Sequence, residues 1–193
     1  MMKNYKFLIS KKSRGQSLIE LAIILPLLLM LVFGVIDYAR AIQFNNILVA
    51  MSREGANLVS RTNEEPKNII VALNNTAEPL VMTARGRVYI TEIMGRKVVP
   101  TCSGSLCAIY PQVQAQTRSI TGAATLPSKV WNCSAGWNAN GGCSSVPANA
   151  TATLPITLSD GEVVFAVETL YDYNVIVNYV MQTGPKLYSL TVL

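Results

Sequence analysis

The sequence predicts an α+β protein: a long N-terminal hydrophobic helix packed beside a small antiparallel sheet domain with a disulfide-bearing irregular insertion. Three observations carry this reading. Leu21 to Ile36 form an unbroken apolar run, several short segments from Arg87 onward alternate apolar and polar residues, and all four cysteines fall in the small, polar, charge-poor stretch 101–159.

With 193 residues the chain has room for one compact domain and an anchor. Five of its sixteen basic residues, Lys3, Lys6, Lys11, Lys12 and Arg14, precede Gly15, and no acidic residue comes before Glu20. The net charge of +5 therefore belongs to residues 1–15, because the remainder carries eleven basic residues against eleven acidic ones. A nucleic-acid partner is not expected, since no basic patch lies downstream. A basic leader before an apolar run instead orients a membrane segment with its N-terminus in the cytoplasm.

The first element is a helix over 16–60. Its residues 17–36 would extend about 30 Å, enough to cross a hydrocarbon core, so membrane lipid is an expected partner. Glu20 is the one ionisable residue in that span. Pro26 removes one helical hydrogen bond and predicts a kink. Beyond the span, Phe44, Ile47, Leu48, Met51, Gly55, Leu58 and Val59 recur at three- and four-residue steps, which predicts a continuing helix with one apolar stripe. Asp37 and Arg40, three apart, are placed to pair near its exit from the bilayer. A secretory signal peptide is the competing reading, because Ala39-Arg40-Ala41 fits a small-x-small cleavage pattern. The length of the apolar run and the uninterrupted periodicity argue against it.

The exported α+β domain covers 61–193. Glu64-Glu65-Pro66 reads as a helix start, giving a short helix over 66–74 that resumes past Pro79. Strands are expected over 87–94, with Val88 and Ile90 on one face and Tyr89 and Ile93 on the other, and over 108–118, weakened by Pro111. Asp160-Gly161 predicts a hairpin, with Leu154, Ile156 and Leu158 before it and Val163, Phe165 and Val167 after it. Further strands are expected over 175–181 and 187–193, separated by Gly184-Pro185. Strand order is not readable from the sequence.

Within the insertion 101–159, Cys102, Cys107, Cys133 and Cys143 predict two disulfides. Of the three pairings, the two short loops, Cys102 with Cys107 and Cys133 with Cys143, are preferred. Zinc is disfavoured because the chain has no histidine. Trp131 and Trp137 read either as a surface contact patch or as cover for the disulfide and core, the second being preferred because aromatic rings bury much area. The lack of histidine also excludes Ser-His-Asp and Cys-His sites, and no phosphate-cradling loop is present. Glu162 and Glu168 share a strand face without a catalytic partner. No enzymatic activity and no cofactor are expected.

The run Gly15-Gln16-Ser17-Leu18-Ile19-Glu20 resembles the processing site of type IV prepilins. That resemblance implies cleavage by a prepilin peptidase between Gly15 and Gln16, which leaves a cationic α-amine on Gln16. It also implies that Glu20 pairs with the amine of a neighbouring subunit during assembly. More specifically, Glu20, Leu25-Pro26, Asp37-Tyr38-Ala39-Arg40 and Arg53-Glu54-Gly55-Ala56 resemble the TadE-like family, the minor pilins or pseudopilins of tight-adherence (Flp) pilus systems. The resemblance covers about the first sixty residues. It implies a minor pilin or pseudopilin in the bacterial inner membrane, with other pilin subunits and the pilus assembly platform as partners. The chain beyond residue 15 is also far longer than the very short major subunits associated with such pili. The alternative from another class is a membrane-tethered binding module or adhesin that never enters a filament.

Overall fold

A computed structural model describes residues 16–97, 108–123, 125–176 and 184–193. Helix α1 spans Gln16–Arg61, α2 Pro66–Asn75 and α3 Met82–Arg85. Strands β1 (Gly86–Lys97), β2 (Ile109–Arg118), β3 (Val163–Asp172) and β4 (Lys186–Val192) form one antiparallel sheet in the order β2-β1-β3-β4. The α+β architecture with a long N-terminal helix is therefore as expected. Helix α1 runs unbroken through Pro26 and ends within a residue of the expected boundary.

Helix α1 divides into two halves with different surroundings. From Leu18 to Ile36 its large apolar side chains are exposed, at 42–71%. From Phe44 onward the stripe closes on the sheet: Phe44, Leu48, Met51, Ala56 and Val59 are buried together with Val88, Ile90, Val167 and Tyr171. Burying a side chain such as Leu48 contributes about 1.5–3 kcal/mol. Helix α2 closes the same core with Ile69, Ile70 and Leu73. Pro66 opens it at the first turn, where a missing N–H costs nothing.

The other sheet face carries a second core. Ile93, Val164 and Ala166 pack there against Val113, Val130, Ala150, Ala152 and Leu158, all of which lie within 101–159. With one face against α1 and the other beneath the insertion, β3 is buried almost continuously instead of at alternate positions. Pro111 is tolerated in β2 because that strand is at the sheet edge. Its carbonyl accepts from Ala152 N–H on the outer side, so its missing N–H also faces away from β1 and breaks no bond to it. Glu92 pairs with Ala115 and Ile93 with Val113, leaving Gln114 as an extra bulged residue.

The expected hairpin needs correction. Asp160-Gly161 is a turn, with Gly161 at φ +79°, but 154–159 is not a strand. Both edges of β3 are already taken, by β1 and β4, and Pro155 cannot donate to a ladder. The chain before the turn instead crosses over Gly95, where a Cβ would collide with the Ser159 carbonyl. Leu158 is thereby delivered to the second core. Val175 and Ile176 lie outside any strand. The rest of the strand expected over 175–181 falls outside the described residues, as do residues 1–15, the expected leader, and both Cys102 and Cys107.

Candidate functional site

The first candidate region is the N-terminal half of α1. Glu20 lies one turn into the helix, exposed among Leu18, Ile19 and Leu21, and Pro26 lies further along the same exposed stretch. Gln16 begins the helix, whereas Gly15, the other side of the expected cleavage site, falls outside the described residues. An 18-residue window of α1 has a mean hydropathy of 2.8, and none of that window is buried. So much contiguous apolar surface is unstable in water and requires lipid or other helices around it.

The second region is where this apolar surface ends. Asp37 is half-buried, and its carboxylate accepts from the Tyr173 hydroxyl (3.1 Å) and from the backbone N–H of Ile176 (2.9 and 3.0 Å to its two oxygens). The Tyr173 hydroxyl also lies 3.2 Å from the Asp37 carbonyl. Tyr173 is buried, and that burial together with the neighbouring carboxylate pushes its phenol above the ordinary range. Arg40 lies over the Phe44 ring, which meets Tyr171 and Tyr173 edge-on. Asp37 thus fastens the helix to the segment following β3, while the Arg40 ring contact stays within the helix.

Roughly three to four turns beyond Arg40, Arg53-Glu54-Gly55-Ala56 meets the sheet. Arg53 and Glu54 face outward, while Gly55 and Ala56 are buried. A Cβ at Gly55 would stand 2.8 Å from Leu73 Cδ1 and 3.1 Å from Val167 Cγ1, so the small residue sets how closely α1 approaches. Ser52 is fully buried and shares its hydroxyl with Ser189 (2.9 Å) and Thr191 (3.0 Å) of β4, while Thr169 donates to the Leu48 carbonyl (2.9 Å). These polar contacts fix the register of the helix on the sheet.

Glu168, read from the sequence only as a strand residue without a catalytic partner, has a structural role that the sequence did not show. It is fully buried, and its carboxylate accepts from Ser128 Oγ, Lys129 N–H (2.8 Å), Val130 N–H (3.2 Å) and the Tyr188 hydroxyl (3.2 Å). Burial pushes its carboxyl up, and those hydrogen bonds oppose the shift. Burial, with Glu168 nearby, likewise pushes the Tyr188 phenol up. The only sequence signal was an acid in the middle of a largely apolar strand. Glu162, its expected face-mate, lies before β3 and accepts from Ser159 N–H (2.7 Å) in the turn. The hydrogen-bonding capacity of Glu168 is spent on fastening the insertion to the sheet.

In the insertion, Cys133 and Cys143 form a disulfide. Trp137 lies half-buried beside Tyr89 with the Arg118 guanidinium over its ring at 4.3 Å, and Trp131 is half-buried against the second core. Among the described residues no three His, Cys, Asp or Glu side chains are grouped to hold a metal ion.

These features define a class: an α+β domain borne on one apolar N-terminal helix, which fits a single-pass membrane protein. Residues 15–57 match the family model described as TadE-like protein, which supports a TadE-like protein associated with Tad pilus systems. The match covers both halves of α1 and stops short of the sheet. No curated protein and no solved structure gives a match.

Proposed function

We propose that this chain is a minor pilin or pseudopilin that takes part in assembling an adhesive Tad (Flp) pilus. In this reading a prepilin peptidase removes residues 1–15 between Gly15 and Gln16. The apolar half of α1 then holds the protein in the bacterial inner membrane, with the α+β domain on the far side, and later packs among the helices of other subunits and the assembly platform. The role is structural, with no catalysis. The observation that carries it is the division of α1: an apolar half exposed on all sides continues without a break into a half seated on the sheet, and the TadE-like match covers both.

Glu20 has a physical rationale in this scheme. A carboxylate in apolar surroundings is costly unless it faces a cation, and the new α-amine of a neighbouring Gln16 supplies one. Attraction between the two would set the axial register of adjoining helices. The test is Glu20→Ala, scored by the yield of surface filaments. Assembly is expected to fall sharply while the protein still accumulates in the membrane. Normal filament yield would instead favour a tethered adhesin that does not enter a filament.

A further inference from the structure

We propose that the end of the domain carrying Tyr173 and Ile176 rests in the headgroup layer of the bilayer, held there by Asp37. The inference rests on the reading of residues 17–36 as the membrane span.

Three observations converge on it. The first is adjacency. Asp37 follows Ile36, the last residue of the apolar run, and its carboxylate bonds the Ile176 N–H at 2.9 Å. Ile176 therefore lies within a few ångströms of the end of the span whatever the helix tilt. The second is direction. Thr169 bonds Leu48, and Val167 lies against Gly55, so β3 runs antiparallel to α1 and its C-terminal end points toward the apolar half. The Asp160-Gly161 turn, which precedes β3, is at the far end.

The third is the chemistry of the exposed residues at that junction. Tyr38 is 70% exposed, Ile42 46% and Ile176 49%. Lys186 is also exposed there, paired across the sheet with Asp172. Tyrosine, large aliphatic residues and lysine together suit the interface, where rings and methyl groups enter the acyl boundary and an ammonium meets lipid phosphate. The occupant of this surface is thus the lipid bilayer. The domain stands directly on it, oriented by a hydrogen-bonded junction and not by a flexible stalk.

The experiment uses the full chain in phospholipid nanodiscs containing bromine-labelled lipids, with the added fluorescence read against the unsubstituted protein. Three single tryptophan substitutions are compared: Phe33→Trp in the span, Ile176→Trp at the junction and Val163→Trp at the opposite end of β3. Phe33→Trp is expected to be quenched by lipids brominated deep in the chain. Ile176→Trp should be quenched at least twofold more than Val163→Trp by lipids brominated near the headgroup, and adding Asp37→Ala should reduce that difference. Quenching of Phe33→Trp with none of Ile176→Trp overturns this inference and leaves the span intact. Absence of quenching at Phe33→Trp overturns both.

Discussion

Gly55 of α1 lies against Val167 of β3 so closely that a Cβ at residue 55 would come within 3.1 Å of the valine methyl. A side chain there would press on Val167 and on the end of Leu73 more tightly than an ordinary contact, and both would have to give way. Gly55→Leu is therefore expected to destabilise the domain by about 1–3 kcal/mol through overpacking, despite leucine's better helix propensity. Denaturant unfolding in detergent micelles would measure the loss. Unchanged stability would mean that the helix can lift from the sheet at little cost.

Glu168 makes stability depend on pH. Its folded-state pKa is raised by burial, so its contribution to stability is fully present below the unfolded value of about 4.3 and is lost as pH rises through the folded value. The native chain should lose stability with rising pH in that window, and Glu168→Gln should flatten the slope. Glu168→Leu should cost about 2–4 kcal/mol, because the Lys129 and Val130 N–H groups and the Tyr188 hydroxyl lose their acceptor. Thermal melts across the pH range would separate the two variants. A slope retained in Glu168→Gln would place its source in another group.

The Cys133–Cys143 disulfide closes a loop with a sequence separation of 10. On the chain-entropy account such a loop contributes about 2–3 kcal/mol. Replacing both cysteines by serine should lower stability by up to that amount. Since the loop carries Trp137 between Arg118 and Tyr89, the tryptophan emission should also shift toward that of a solvated ring. An unaltered emission spectrum would mean that the ring is held by the sheet alone.

Local patterns made the helices and most strands readable. The periodic stripe from Phe44 to Val59 placed α1 within a residue of its end, and alternation placed β1, β2 and β4. Pro66 after two glutamates marked the start of α2. What failed depended on neighbours distant in sequence. The segment 154–158 alternates like a strand, yet β1 and β4 already occupy both sides of β3. Asp37 was read against Arg40 three residues on, but its carboxylate reaches Tyr173 and Ile176 across the fold, a contact no local spacing encodes. Glu168 was read only as sharing a strand face with Glu162, and its burial was not legible because the insertion that covers it has no periodicity to announce a second layer. Gly55 and Ala56 were visible as a family-like step, and the packing shows that both are buried and that Gly55 lies close against Leu73 and Val167.

The central claim is that residues 1–15 form a removable leader on a membrane-anchored filament subunit. Intact mass of the membrane-extracted protein, from cells with and without an active prepilin peptidase, tests it most directly. The account predicts a chain beginning at Gln16 when the peptidase is active and at the original N-terminus when it is not. A leader retained in the presence of the peptidase, or a chain beginning just after Ala41, would contradict it.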